Sequence, residues 1–159
     1  MGLFSGNKHS SNLKAAKKMV EDAISSLKLV PEENRLQGQQ EGYGWGVMKG
    51  SAEVFIFIIP GDPKKDTFHS FQVVSPVMKL PESTTSQVAL YRRLLELNVE
   101  ILSGVSFGIK GDTVMIVTDR STEDLNLSEV KSMILRVGYF ADLYDDELVG
   151  QFGGHRYAE

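Results

Sequence analysis

The chain has 159 residues, of which 42% are hydrophobic and 24% are charged, and its formal net charge is −4. This length and composition predict one globular domain with a continuous core. The mild acidity argues against binding to nucleic acid or to an anionic membrane. The chain contains no cysteine, which excludes disulfides, thiolate catalysis and cysteine-bound metal.

The first residues and the longest apolar run suggest where the protein is found. Residues 1–6 lack the apolar core of a signal peptide, and the apolar run at residues 54–59 is too short to cross a bilayer. We therefore expect a cytoplasmic protein without a membrane partner. The composition predicts a flexible tail at residues 1–11, one domain at residues 12–154 and a second tail at residues 155–159.

A helix and three strands are predicted in the first half. Apolar residues recur at spacings of three and four from Asn12, which is predicted to be the N-cap, and Pro31 ends this helix. The three strands cover about residues 43–49, 53–59 and 68–79. The second is apolar enough to be a central strand, whereas Pro76 predicts an edge position or a bulge for the third.

The second half predicts a helix, two strands and a helix. The helix begins at residues 81–85, and the antiparallel strands meet at a turn around Gly111. The last helix begins near Asn126, which has capping-box spacing to Glu129, and Gly153-Gly154 closes it. The order α-β-β-β-α-β-β-α predicts an α+β domain with a mostly antiparallel, five-stranded sheet. The apolar stripe of the second helix is predicted to contain Val88, Tyr91, Leu94 and Leu95.

The glycines between the two late strands could be a phosphate loop or simple turns. A phosphate loop needs four residues between its glycines and then Gly-Lys-Ser/Thr at the start of a helix. Gly104 and Gly108 are separated by three residues, and a strand pattern follows Lys110. The spacing therefore favours a hairpin turn at Gly111-Asp112.

An acidic group in the last helix offers a possible metal site. Spacings of three and four place Asp142 beside Asp145 and Asp146 on one helical face, where a divalent cation could bridge them. Such a group is more commonly a solvated face. The metal site is therefore kept as an alternative, and no cofactor is predicted.

No arrangement typical of a catalytic site is found in the sequence. His9, His69 and His155 are far apart, and no nucleophile motif organises the serines and carboxylates. We therefore predict no catalytic residues and no enzymatic activity.

The second half resembles a known family. Residues 95–98 (LELN), 103–109 (SGVSFGI) and 114–117 (VMIV) resemble the YbjN-like family, as does the stretch ILRVGYFADLYDDELVGQFGG at residues 134–154. The resemblance covers about residues 42–154. It implies a fold similar to class I type III secretion chaperones, which have the element order predicted above. It also implies a small, cytosolic, usually dimeric protein that holds another polypeptide.

These observations predict a non-enzymatic protein-binding module, chaperone-like or a regulatory adaptor, that forms a homodimer. The residues predicted to contact a polypeptide partner are Phe71, Val73 and Val77. The residues predicted at the dimer interface are Val88, Tyr91 and Leu95. Simple core packing is an open alternative for all six. The alternative function is a small-molecule or metal-responsive regulatory protein that uses the acidic group.

Overall fold

The computed structural model describes residues 3–38, 42–62, 64, 68–100 and 103–157, and the side chains from His9 onward. The elements in this part of the chain are α1 (Leu3–Ser26), β1 (Tyr43–Lys49), β2 (Ala52–Ile59), β3 (Ser70–Lys79), α2 (Thr84–Glu100), β4 (Ser106–Lys110), β5 (Thr113–Ser121), α3 (Leu127–Phe152) and β6 (His155–Arg156). The predicted α+β class and the predicted order of the first eight elements are confirmed. No helix in the described ranges is both long and apolar enough to cross a membrane.

The strands form one antiparallel sheet in the order β1-β2-β3-β5-β4, with β6 paired to β3. The predicted inner position of β2 is confirmed. Pro76 predicted an edge position or a bulge for β3. The edge position is wrong, because β3 lies between β2 and β5, and the bulge stays a prediction. The sheet also has a sixth strand, β6, where the sequence predicted only a tail. His155 pairs with Lys79, and Arg156 pairs with Met78.

Helix α1 begins at Leu3, nine residues before the predicted start. Asn12 is therefore not the N-cap, and residues 3–11 form helix where a flexible tail was predicted. Asn12 makes a tertiary contact instead: its Nδ2 donates to Thr122 O at 3.4 Å, and its Oδ1 accepts from the Thr122 hydroxyl. Such tertiary contacts stabilise helical structure in a segment whose own helix propensity is too weak to maintain it.

The described contacts divide the chain into two compact units, and each has its own buried core. The first comprises Met1–Gly46, Phe55–Val73 and Asp119–Ser132, and the second comprises Val47–Val54, Val74–Thr118 and Met133–Glu159. Fully buried residues of the first unit include Val20, Ile24, Trp45, Ile56, Phe71 and Val130. Those of the second unit include Val54, Met78, Leu90, Leu97, Ile116, Val137 and Leu148. Each buried side chain of this size contributes about 1.5–3 kcal/mol.

The ends of α3 confirm the boundaries predicted from sequence. Asn126 Oδ1 accepts a hydrogen bond from Glu129 N at 3.1 Å, and Glu129 Oε2 accepts one from Asn126 N at 3.1 Å. This reciprocal pair is a capping box. At the other end Gly153 N donates to Val149 O at 2.9 Å, and the φ angle of Gly153 is +79°. A glycine in this left-handed conformation is a common helix terminator.

The predicted hairpin between β4 and β5 is confirmed. Lys110 pairs with Thr113, so that Gly111 and Asp112 form the two-residue turn, and the φ angle of Gly111 is +63°. Asp112 accepts a hydrogen bond from Lys79 Nζ at 2.8 Å. Because a strand and not a helix follows the glycines, the phosphate loop is excluded.

Two glycines before β1 allow the destabilisation caused by backbone strain to be distinguished from that caused by a steric clash. Gly42 and Gly38 both have positive φ angles, +85° and +80°. A Cβ atom at Gly42 would fall against Ile58 O, whereas one at Gly38 would meet nothing within 4 Å. We expect Gly38→Ala to lower the free energy of unfolding by about 1 kcal/mol through strain, and Gly42→Ala by about 3 kcal/mol through strain and clash.

Urea unfolding of the two variants measures this difference. Equal losses would show that the contact with Ile58 does not constrain the chain at Gly42.

Candidate functional site

The side chains predicted to contact a partner are inside the protein. Phe71 and Val73 are 0% exposed and Val77 is 2% exposed. They occupy alternate positions on β3, so they share the buried face of that strand. This face is part of the core, which agrees with the alternative of simple core packing for these residues. Contact with a partner through these three residues therefore remains an untested prediction.

A row of apolar side chains lies along the exposed face of α2. Val88 is 61% exposed, Leu95 67% and Val99 87%. Tyr91 lies between them and is half-buried, and its hydroxyl donates to Gln87 Oε1 at 3.3 Å. Val88, Tyr91, Leu95 and Val99 are called the α2 stripe below. It contains all three residues predicted at a dimer interface.

The opposite face of α2 packs inward through Leu90, Leu94 and Leu97, of which none is more than 4% exposed. The prediction that Leu94 and Leu95 share one stripe is therefore wrong. Neighbouring residues of a helix point about 100° apart, so the two leucines belong to different faces. The sequence reading missed Val99, although its spacing of four residues from Leu95 is a helical signal.

The outer edge of β4 is partly closed by a side-chain amide. Asn98 Oδ1 accepts a hydrogen bond from Phe107 N at 2.7 Å, and Asn98 Nδ2 donates to Phe107 O at 3.2 Å. The amide thus pairs with one residue of the last strand in the sheet order, as a neighbouring strand would. Asn98 therefore protects this edge at Phe107.

The outer edge of β1 is covered by the polypeptide that precedes it. Arg35 forms an isolated antiparallel bridge with Trp45, and Leu36 N donates to Gly44 O at 3.0 Å. The guanidinium of Arg35 also lies 4.9 Å from the ring centre of Tyr43. These contacts occupy the first half of the β1 edge.

The acidic group of α3 binds the protein's own atoms. Asp142 Oδ1 accepts from Ser51 N at 2.7 Å, and Asp145 Oδ2 accepts from Ser51 Oγ at 2.5 Å. Asp146 Oδ1 accepts from Arg156 Nη2. Among the residues that the structure describes, no group of three or more His, Cys, Asp or Glu residues could hold a metal ion. The metal-binding alternative therefore has no support in the described geometry.

Two of the three histidines, which are far apart in the sequence, are in contact. The rings of His9 and His69 are 3.8 Å apart. His69 Nδ1 accepts from Gly61 N at 3.0 Å, and its Nε2 contacts His9 O at 2.9 Å. Because a carbonyl can only accept, Nε2 is the donor in this contact. The pair fixes α1 to the loop after β2, and its described bonds serve structure.

Strand β6 lies beside the last residues of β3. Tyr157 N donates to Val77 O at 3.2 Å, which extends the pairing of Arg156 with Met78. The Nζ of Lys79 lies 5.3 Å from the ring centre of Tyr157. A cleft of about 50 Å³ remains between β6, the start of β2 and α3. It is lined by Ser51, Ala52, Glu53, Pro76, Val77, Ala141, Asp145, Arg156 and Tyr157.

The turn before β2 depends on the charge of Asp142. The hydrogen bonds from the Ser51 backbone and side chain hold the pKa of Asp142 below its ordinary value. A carboxylate with a lowered pKa stabilises the fold above its unfolded pKa, about 3.9, and this contribution is lost as the pH falls through the folded pKa. We expect Asp142→Asn to lose less stability than the wild type between pH 5 and pH 3.

Urea unfolding at a series of pH values measures this effect, with Asp119→Asn as the control because Asp119 is an exposed carboxylate on β5. The control should keep the wild-type pH dependence. An Asp142→Asn profile that runs parallel to the wild type would show that the Ser51 contact contributes nothing to acid sensitivity.

Two solved structures contain chains with a similar fold. A chain in the structure of the ExsC–ExsE complex is 11% identical, with a TM-score of 0.54 over 85% of this chain and 94% of that chain. A chain in the structure of the HopA1–SchA chaperone–effector complex is 13% identical, with a TM-score of 0.56 over 86% of this chain and 97% of that chain. At these identities the likeness shows the fold alone, and it confirms the predicted secretion chaperone-like architecture.

A family model gives the relationship by sequence. None of the curated proteins compared with the chain matches it. The model for TY-Chap1, described as T3SS (YopN, CesT) and YbjN peptide-binding chaperone 1, matches residues 15–159. The predicted YbjN-like resemblance and the predicted protein-binding, chaperone-like class are thereby confirmed. The chain belongs to the TY-Chap1 family of type III secretion and YbjN peptide-binding chaperones.

Proposed function

We propose that the protein is a cytoplasmic homodimer that holds an extended segment of a polypeptide partner and catalyses no reaction. Membership of a peptide-binding chaperone family supports the holding of a polypeptide. The α2 stripe is the single structural observation that carries the dimer. The absence of cysteine is compatible with a reducing compartment.

The α2 stripe has the form of a helix-to-helix interface. Its exposed members Val88, Leu95 and Val99 lie on one side of α2 and extend over about 16 Å at a rise of 1.5 Å per residue. Large side chains that are 61–87% exposed lose unfavourable contact with water when a second copy covers them. A two-fold axis across α2 would bring the α2 stripe of one copy against that of the other. Two-fold symmetry is the commonest symmetry of soluble dimers.

Charged residues beside the α2 stripe limit its width. Arg92 Nε donates to Glu96 Oε1 at 2.9 Å, one helical turn further along. The Nη2 of Arg93 lies 3.7 Å from the Oε1 of Glu147 and forms an ion pair with it. An apolar centre with a polar rim is the usual anatomy of an interface between two proteins. This arrangement favours association with one specific surface over nonspecific hydrophobic association.

Strand addition is the proposed way in which the partner is held. An extended segment that pairs with a sheet edge gains main-chain hydrogen bonds whatever its sequence. In an antiparallel ladder alternate residues point their backbone groups outward. Phe107 N and O point outward to Asn98, so those of Ile109, two residues later, also point outward. Ile109 is 44% exposed, which leaves this part of the β4 edge accessible.

The charge of the protein favours a basic partner segment. The formal net charge is −4, and complementary charge raises the rate and specificity of association.

The described carboxylates of α3 and the described histidine pair are engaged in structural hydrogen bonds. These engagements support a binding function over a catalytic one.

Leu95→Arg tests the dimer. A charge at the centre of the α2 stripe should be left unpaired against its copy, so we expect the variant to be a monomer of 17.6 kDa. The wild type should have twice that mass by size-exclusion chromatography with light scattering. Leu135→Arg is the control, because Leu135 is a leucine on α3 that is 44% exposed outside the stripe. A wild-type monomer at every concentration, or a dimer of Leu95→Arg, would contradict the proposed interface.

Binding of an unfolded polypeptide tests the holding function. Reduced, carboxymethylated α-lactalbumin and poly-lysine-tagged variants of it serve as probes in a fluorescence anisotropy titration. We expect saturable binding that is tighter for the basic variants and weaker at high salt, because the protein is acidic. The absence of binding to every such polypeptide would contradict the proposed function.

A further inference from the structure

The last residues of β3 extend beyond the strand beside them. Ser75 Oγ donates to Glu53 O at 2.7 Å, and β2 begins one residue earlier, at Ala52. Strand β2 therefore accompanies β3 only as far as about Pro76. On the other side of β3 the contact with β5 continues, because Leu80 N donates to Asp112 O at 2.8 Å. On the side of β2, the backbone of β3 at residues 77–79 is therefore not paired with β2 and can pair with another segment. This edge of residues 77–79 is called the β3 slot.

Strand β6 fills the β3 slot. Because β5 occupies one side, β6 lies on the side where β2 has ended. Tyr157 N donates to Val77 O, so the backbone groups of Val77 and, two residues on, of Lys79 point toward β6. The slot is about three residues long, since it is bounded by the start of β2. The backbone of the slot accepts any extended residue, and its side chains determine which residues are preferred.

The side chains around the slot contact those of β6 through charge and through an aromatic ring. Arg156 donates to Asp146, and Asp145, buried at 5% exposure, lines the cleft beside the same arginine. One residue later, the ring of Tyr157 lies 5.3 Å from the ammonium of Lys79. A carboxylate prefers a guanidinium, and a cation prefers an aromatic face. The slot therefore fits an arginine followed by an aromatic residue.

Strand β6 is short, and two glycines join it to the end of α3. The strand has two residues, His155 is exposed and Tyr157 is 40% exposed. The two glycines before it have φ angles of +79° and +86°. Segments with few buried contacts open at low free-energy cost, and paired glycines permit large backbone rotations.

We propose that the β3 slot is a binding site for an extended segment of the partner that carries an arginine followed by an aromatic residue, and that β6 is an internal stand-in which the partner displaces. This inference rests on the proposed function and names the site and the partner chemistry. The acidic face of α3 supplies the selection for arginine through Asp146.

Gly154→Ala weakens β6 without removing any of its side chains. A Cβ atom there would fall against Lys79 O, and the φ angle of +86° disfavours any residue but glycine. Gly150→Ala is the matched control, because a Cβ at Gly150 meets nothing within 4 Å and no positive φ is found there. Arg156→Glu is a second variant, which places like charge against Asp146 and leaves the backbone unstrained.

The probe is a labelled synthetic peptide, acetyl-Gly-Gly-His-Arg-Tyr-amide, which copies residues 153–157. We expect it to bind Gly154→Ala and Arg156→Glu at least tenfold more tightly than the wild type and Gly150→Ala. The reason is that tethered β6 competes at a high effective concentration in the last two proteins. A peptide with glutamate in place of arginine should bind every protein at least tenfold more weakly, and Asp146→Asn in the Gly154→Ala background should have a similar effect.

Amide hydrogen exchange locates the peptide. In Gly154→Ala the amides of Val77 and Lys79 should exchange faster than in the Gly150→Ala control, and the peptide should restore their protection. Equal peptide affinity for all four proteins, or protection elsewhere, would overturn the proposal. Dimers of Gly154→Ala that persist when Leu95→Arg is added, and that form by exchange of β6 strands, would also overturn it by making a second copy the occupant.

The α-lactalbumin titration separates this proposal from the proposed function. If the wild type binds the unfolded polypeptide but the peptide does not bind Gly154→Ala, the β3 slot is wrong and the holding function stands. If neither binds, both fail. Binding of the unfolded polypeptide that is at least tenfold tighter for Gly154→Ala, and is reduced by the Gly-Gly-His-Arg-Tyr peptide, supports both.

Discussion

The backbone of β3 needs hydrogen-bond partners on both sides, and much of the second unit follows from this requirement. Buried N–H and C=O groups without partners are costly, so a long inner strand demands neighbours along its whole length. Strand β5 meets this demand on one side, and β2 meets it on the other only to about Pro76. The remaining residues need a further segment, and the chain provides β6. Helix α3 must therefore end at Phe152, and two glycines must reverse the chain.

Three neighbouring carboxylates of α3 set the limits of the β3 slot. Asp142 and Asp145 accept hydrogen bonds from Ser51, which fixes the turn from which β2 starts. Asp146 accepts from Arg156, which fixes the position of β6. A single helical face thus positions both the strand that ends beside β3 and the strand that continues there. An acidic cluster that suggests metal binding in the sequence is, in the structure, a set of hydrogen-bond acceptors for backbone and arginine.

The sequence predicts the main elements because their periodic patterns are long. The capping box at Asn126 and the turn at Gly111 depend on local chemistry, and both are found as predicted. Strand β6 could not be predicted, because two residues carry no pattern and the need for them arises from the overhang of β3. The extent of α1 was missed for a similar reason, since tertiary contacts of Asn12 and His9 support helix in a segment of weak propensity.

The candidate surfaces were harder to predict than the elements. Alternation along β3 identifies which residues share a face, but it does not tell whether that face is covered, and Phe71 proves to be buried. Helix α2 has apolar residues on two faces. Its periodicity alone does not decide that Leu94 packs inward while Leu95 faces solvent. A surface depends on what the rest of the chain covers, which is a property of the whole fold.

The three edges differ in how easily a partner strand could reach them. At β1 the edge is covered by the chain around Arg35, which also packs on Tyr43. At β4 the amide of Asn98 holds Phe107 and leaves the edge accessible around Ile109. Displacing either means breaking contacts that belong to the chain's own helix or aromatic packing. At β3 the covering segment is two paired residues on a glycine hinge, and the partner that replaces it regains the same hydrogen bonds. Exchange of one strand for another changes the number of backbone hydrogen bonds little, so the side chains beside the slot decide which strand stays. The acidic face of α3 therefore acts as the selective element of this edge, and it does so by favouring arginine.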